Sequence, residues 1–419
     1  PGTVVAGSAI SPSVTVQLRD AFGNNVASSG VAVTMTLNSG TGTLSGTTTQ
    51  STNASGVASF ANLSVNLVGA KTLRAAATAL IPDTSASFTV TNAAASQVAF
   101  LQQPSSTVAA ATITPAVTVQ LLDAFGNAVP SSGITVTLSL SSGTGTLSGT
   151  TTRSTNASGV ATFNDLSINL TGTKTLTASA SGLSPDGSAS FTISAGAAKK
   201  VVFVQQPTNV TAGVAISPSI TVQLQDSVGN SVPVAGTTVT LSLNSGTGTL
   251  GGTVNRTTDA NGLATFNDIN VNLAGAKTLL AGSAGVTSAV SSSFTVSAAS
   301  ASQLAFVQEP SAVVAGSAIS PAVTVQLRDA FGNSVASSGI AVTMTLVSGT
   351  GTLSGTTTQS TNASGVASFA NLSVNLVGAK ALRAAATALT PDTSASFTVT
   401  NAAASQLAFV QQPTTTVAT

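Results

Sequence analysis

The sequence contains no cysteine, no histidine, no tryptophan and no tyrosine. Without cysteine, no disulfide can hold the chain and no redox compartment can be read from it. Without histidine or cysteine, neither a Ser-His nor a Cys-His dyad can be assembled. Charge is scarce as well: 12 basic and 11 acidic residues among 419, or 5%, for a net charge of +1. An average chain is about one-quarter charged. So thin and balanced a set offers no electrostatic footprint for nucleic acid or an anionic membrane surface. No apolar run approaches the ~18–20 residues of a transmembrane helix, helical spacing is missing, and no signal peptide is visible.

What the chain has in quantity is repetition. "DAFGN" begins at Asp20 and returns at Asp123 and Asp329, with "DSVGN" at Asp226, each 103 residues after the last. "AFLQQP", "VFVQQP", "AFVQEP" and "AFVQQP" place Phe100, Phe203, Phe306 and Phe409 at the same interval. The period divides the chain into 1–95 (a first repeat lacking its opening strand), 96–198, 199–301 and 302–404. The remainder, 405–419, reads as the first strand of a following repeat or as a donor strand for another chain. Repeats 1 and 4, aligned over 1–103 and 310–412, differ at only ten positions.

Within a repeat, period two dominates. Val14, Val16 and Leu18 alternate with Thr15 and Gln17, and Val31, Val33, Met35 and Leu37 alternate with Ala32, Thr34 and Thr36. This is the pattern of half-buried strands, filled with the β-branched residues that suit them. Turn chemistry divides the strands at "FGN" (22–24), "NSGTG" (38–42), "NASG" (53–56), "VGA" (68–70) and "PDT" (82–84). The apolar phase slips between Phe60 and Leu63, which predicts a bulge or a corner between two strands. Seven or so short strands in about 100 residues describe an antiparallel β-sandwich. The expected architecture is all-β: four tandem antiparallel Ig-like sandwiches arranged as an elongated rod.

Four motifs resemble a family. The Asp-x-x-Gly-Asn turn, the Gly-x-x-Val-Thr strand, the Thr-(Asp/Asn)-Ala-x-Gly-x-Ala turn and the closing Gly-x-x-Thr-Leu-x-Ala strand are similar to the bacterial Ig-like repeats of the invasin and intimin type. All four repeats carry the motifs with small departures. The resemblance implies an extracellular stalk or fibre that holds something away from a cell.

The recurrent aspartate admits two readings. An Asp-Asn pair between domains could hold calcium, but calcium wants six to eight oxygens with several carboxylates, and no repeat has a D-x-D cluster. As a structural turn, Asp20, Gly23 and Asn24 (with Asp123, Gly126, Asn127; Asp226, Gly229, Asn230; and Asp329, Gly332, Asn333) would pair a capping carboxylate with a positive-φ glycine. Phe22 would plug the end of the sandwich, as Val228 would in the third copy. No metal or cofactor is expected. Carboxylates such as Asp165, Asp186, Asp259 and Asp268 vary between copies as surface residues do, so an enzyme is not expected.

Each repeat has one lysine at a fixed place: Lys71, Lys174, Lys277 or Lys380. A snorkelling edge lysine is the favoured reading, over a side-chain isopeptide crosslink. The N-x-[ST] sequons, including Asn53 and Asn62, are frequent enough in so Ser- and Thr-rich a chain to arise by chance. Binding hot spots lean on Trp and Tyr, which are absent.

The functional expectation is a non-catalytic structural segment of a bacterial extracellular filament or surface stalk. The alternative is an adhesin whose repeat loops bind a receptor or glycan. The expected partner is the chain itself, head to tail and laterally, with Leu407 and Phe409 as the inter-subunit strand. No nucleic acid and no membrane span enter the reading.

Overall fold

Alternation along the sequence becomes alternation in burial. In repeat 2 the strand Val117–Leu122 buries Val117, Val119 and Leu121 fully and leaves Thr118, Gln120 and Leu122 half-buried. The computed structural model describes residues 2–412 and 414; of the predicted terminal strand 405–419, residues 413 and 415–419 lie outside the described residues. Among the described residues there is no helix.

The strand Val117–Leu122 is the middle of a three-stranded antiparallel sheet, between Gln97–Gln102 and Val160–Phe163. The facing sheet is centred on Gly172–Ala180, flanked by Thr135–Ser142 and Phe191–Ser194, with Thr152–Ser154 beyond Thr135–Ser142. One two-residue strand, Thr107–Val108, pairs parallel with Phe191–Ser194. The inner faces of the two sheets share one apolar core that includes Val119, Leu138, Phe163 and Leu176. This is an Ig-like β-sandwich. The phase slip is a corner: after Val57–Phe60 the chain turns so that Ser64–Val65 pairs with Leu44–Ser45, and Phe60, Leu63 and Val65 all remain fully buried.

The chain divides into two compact units, Pro1–Ala197 with Asp226–Asn230, and Ala198–Gln225 with Ser231–Thr419. In the second unit the three-stranded sheet recurs twice. Ile220–Gln225 lies between Lys200–Gln205 and Leu263–Phe266, and Val323–Arg328 between Gln303–Gln308 and Val366–Phe369. In the first unit, repeat 1 departs from this plan. Its strand Val14–Gln17 has one strand partner among the described residues, Val57–Phe60. The other edge is bare, and a groove of about 740 Å³ opens onto Val14, Val16, Leu18, Met35 and Leu73. Residues 401–412 lie outside any strand and are exposed.

Candidate functional site

The recurrent pentapeptide closes on its own aspartate. Oδ1 of Asp123 accepts the N–H groups of Phe125 and Asn127, both at 2.9 Å. Oδ2 accepts Asn127 Nδ2 at 2.8 Å and the Ala93 N–H at 3.0 Å. Gly126 donates its N–H to Asp123 O at 3.1 Å, with φ of 84°, where a side chain would be strained. Burial pushes the Asp123 carboxyl upward, but the hydrogen bonds from Asn127, Ala93 and Phe125 outweigh it and hold the group below the usual carboxylate range. An ionised carboxylate has about four acceptor positions. Here four donors occupy them, which leaves little for a cation.

The same four donors recur in the other internal copies. Asp329 accepts from Phe331, Asn333 and Ala299, and Asp226 from Val228, Asn230 and Gly196. Among the described residues Asp20 accepts side-chain hydrogen bonds from Phe22 and Asn24 only, and it is exposed.

The turn also reaches the preceding repeat. Asn127 Nδ2 donates to Asn66 O at 2.8 Å, and its Oδ1 accepts the Val68 N–H at 3.0 Å. A side-chain amide with both ends engaged fixes a direction as well as a distance. In the second unit Asn333 makes the same pair of bonds to Asn272 O (2.9 Å) and the Ala274 N–H (2.8 Å). The turn Asp226–Asn230, which belongs to the first unit, repeats it through Asn230 to Asn169 O and the Thr171 N–H.

The receiving loop is braced from behind. Asn66 Oδ1 accepts the Thr43 N–H at 2.7 Å, and Lys71 Nζ donates to Val68 O at 3.0 Å. Thus one peptide, Val68, faces the neighbouring asparagine with its N–H and the lysine with its carbonyl. The expectation of a surface-edge lysine is corrected here. Lys71 is 1% exposed and sits in Gly69–Ala76, which has strands on both sides. Its stem fits because residue 40 is glycine: a Cβ there would stand 2.6 Å from Lys71 Cδ. Lys174, Lys277 and Lys380 repeat the arrangement, donating to Thr171 O, Ala274 O and Val377 O. Sequence reasoning missed this brace because residue type alone places a lysine at the surface, and only the packing of its stem over Gly40 shows where it runs.

The phenylalanine is also placed differently from the expectation. It does not plug its own sandwich. Phe22 is 91% exposed, whereas Phe125 is 42% exposed because it lies over Gly7 of the preceding repeat. A Cβ on Gly7 would stand 2.2 Å from Phe125 Cζ, and one on Gly213 would stand 2.3 Å from Phe331 Cζ. Only a residue without a side chain admits the ring. The third copy has Val228 in place of the phenylalanine, and the corresponding position one repeat earlier is Ala110, with φ of 62°. Knob and socket therefore change size together. That paired change is visible in the sequence and was the available signal.

The remaining carboxylates serve local structure. Asp186 and Asp392 accept the N–H groups of Phe100 and Phe306 in the opening strands of repeats 2 and 4. Asp165 and Asp268 pair with Arg153 and Arg256 at 3.3 and 3.2 Å. Asp259 caps its own turn through Asn261 and Leu263. Among the described residues no three acidic side chains gather where a metal could sit. Leu407 and Phe409 are exposed, and the structure brings them to none of the other predicted residues.

A family model described as the sixth Ig-like domain of SMCHD1 matches residues 1–79. No curated protein matches the chain. Among solved structures, FdeC, an Escherichia coli adhesin, is similar at 18% identity over 73% of this chain and 96% of that one, with a TM-score of 0.31. InvD of Yersinia pseudotuberculosis is similar at 20% identity over 72% and 84%, with a TM-score of 0.30. The titin fragment I67–I69 aligns at 13% identity over 74% and 100%, with a TM-score of 0.26. The fold assignment stands on strand order and register alone.

Proposed function

We propose that this chain is a non-catalytic structural segment of a bacterial extracellular filament or surface stalk. One observation carries the reading: the pentapeptide turns of repeats 2 and 4 are used to hold the preceding repeat. Asn127 in the first unit and Asn333 in the second each make two bonds to the loop ahead, and a buried lysine backs that loop. A chain selected for catalysis would gather its few charges in a cleft. This one uses them on turns and junctions.

The resemblance to invasin- and intimin-type repeats adds the location, outside the cell or on its surface. It also makes self-association the expected partnership. Immunogold electron microscopy on intact producing cells tests this. Gold on filaments or stalks outside the cell is the expected result, and label confined to the cell interior overturns it. In the same cells, saturable binding of the purified chain to a glycan or surface receptor would favour the adhesin reading instead.

A further inference from the structure

Repeats 2, 3 and 4 each open with a strand at the edge of the three-stranded sheet, and the three strands are not held alike. In repeat 2, Gln97 Nε2 donates to Asp123 O at 3.0 Å and the Phe100 N–H donates to Asp186 Oδ2 at 2.9 Å. Repeat 4 has both holds, from Gln303 to Asp329 O at 2.8 Å and from Phe306 to Asp392 Oδ2 at 2.9 Å. Among the described residues neither bond recurs in repeat 3, where Lys200 replaces the glutamine and Ala289, which has no acceptor, replaces the aspartate.

The rest of the attachment is shared. Val201 donates its N–H to Thr287 O at 3.0 Å, as Val98 does to Ser184 O and Leu304 to Thr390 O. The ladder to Ile220–Gln225 keeps the register of the other two repeats. A bond from the Gln205 N–H to Thr221 Oγ1 has its match in repeat 4. Beyond the strand, Val210–Thr211 pairs with Phe294–Ser297 and Ala212 donates to Ser297 O, so a release that begins at Lys200 stops there. The weakness is local to Lys200–Gln205.

The start of that strand also carries the only adjacent pair of basic residues in the chain, Lys199 and Lys200. Lys199 is exposed and Lys200 half-buried, whereas the other four lysines are each 1% exposed. The corresponding pairs in repeats 2 and 4 are Ser96–Gln97 and Ser302–Gln303. One replacement, glutamine by Lys200, both removes a hold on the strand and supplies a basic side chain.

We propose that Lys199–Lys200 is a processing site for a lysine-specific, trypsin-like protease, opened by local release of the first strand of repeat 3. A strand within a ladder is cut only from its open state, so the rate of cutting follows how often the strand opens. The pair offers the enzyme a cation at two successive bonds. Hydrolysis adds one water to the Lys199–Lys200 or the Lys200–Val201 bond. The carbonyl carbon gains the oxygen and ends as a carboxylate, and the nitrogen leaves as an amine. This inference is independent of the stalk reading.

Brief digestion of the folded 419-residue chain with a lysine-specific endoproteinase, read by intact mass, tests it. The first products should meet at Lys199 or Lys200, with the bonds after Lys71, Lys174, Lys277 and Lys380 intact. Ala289→Asp keeps both lysines and installs the carboxylate that repeats 2 and 4 have, so it should slow cleavage on the order of tenfold. Ser302→Lys with Gln303→Lys moves the pair into repeat 4 beside an intact Asp392, where it should be cut more slowly than the native pair. Hydrogen exchange on the uncut chain reads the release without a protease: amides 201–205 should exchange faster than 98–102 and 304–308.

A chain that resists the enzyme, or is cut first after one of the four buried lysines, overturns the proposal. So does equal exchange in the three opening strands. An Ala289→Asp chain that keeps the parent's exchange pattern elsewhere and is cut at the parent's rate also overturns it, because exposure alone then accounts for the cut. If that variant does not fold, the pair moved into repeat 4 decides, and cleavage there at the native rate sinks the idea. None of these results bears on extracellular location, so failure here is distinct from failure of the stalk reading.

Discussion

Repeats 1 and 4 have nearly the same sequence and different surroundings. They differ at ten aligned positions, yet Asp20 is exposed where Asp329 is fully buried, and Phe22 is far more exposed than Phe331. None of the ten differences falls within the pentapeptide. The contrast comes from what stands in front of each. Repeat 4 has repeat 3 ahead of it and the strand Gln303–Gln308 laid against its sheet; repeat 1 has neither among the described residues. Burial is thus a property of position in the array as much as of sequence. The turn geometry itself survives in both, because Asp20 still holds Phe22 and Asn24.

The comparison breaks most sharply if repeat 4 is made to resemble repeat 1. Leu304→Asp places a carboxylate where Leu304 is buried, and an unpaired buried charge costs on the order of 3–5 kcal/mol. Hydrogen exchange followed by mass spectrometry should then show the Val323–Arg328 amides losing protection to the level of Val14–Gln17. Retained protection would mean that the opening strand contributes little. Repeats 1 and 2 should be unaffected.

A smaller effect is expected at the asparagine. Asn333→Ala removes the bonds to Asn272, Ala274 and Asp329 and leaves Asp329 Oδ2 short of a donor, for roughly 1–3 kcal/mol. Asn24→Ala removes only bonds within its own exposed turn and should shift stability by less than about 1 kcal/mol. Domain-resolved exchange or limited proteolysis reads the difference. Equal effects at the two sites would show that the junction bonds add nothing.

Next comes the socket. Gly213→Ala faces both the positive-φ penalty, about 1 kcal/mol, and the Phe331 ring, whereas Gly316→Ala faces the first alone in the isolated chain. Adding Phe331→Val should restore part of the loss at residue 213, as the natural pair Ala110 and Val228 suggests. A double-mutant cycle measures the coupling, and a value near zero would separate knob from socket.

Acid should produce the mildest change near neutrality. The Asp329 carboxyl is opposed by burial but held low overall by Asn333, Ala299 and Phe331. A depressed folded-state pKa gives stability that is fully present above the unfolded value of about 3.9 and is lost as pH falls through the lower folded value. Junction stability should therefore be flat from neutrality to about pH 5 and decline below about pH 4. A decline already present near pH 6 would contradict this assignment.

Much of the fold was legible because its determinants are local. Val117, Val119 and Leu121 announce a strand by alternation, and the slip from Phe60 to Leu63 announces a corner. The junction was harder to read. Phe125 reads as a plug for its own repeat because a window of one repeat does not show what stands next to it, and Lys71 reads as an edge lysine because its residue type does not show the buried channel beside Gly40. The turn residues Asp123, Gly126 and Asn127 were recognisable by type, but the partners Asn66 and Val68 lie about 60 residues earlier in the chain. Only by comparing Gly7, Ala110 and Gly213 with Phe125, Val228 and Phe331 does the sequence disclose that two distant positions share one space.

The buried lysine has a chemical consequence. Four of the six lysines occupy that single position, each inside a central strand with its amine turned to a backbone carbonyl. Trypsin-like enzymes must draw an extended segment into their active site, so they cut such a strand only when it opens. Amine-reactive reagents meet the same barrier. With most of its lysines withdrawn from reach, the folded chain offers acylating agents few amines to attack.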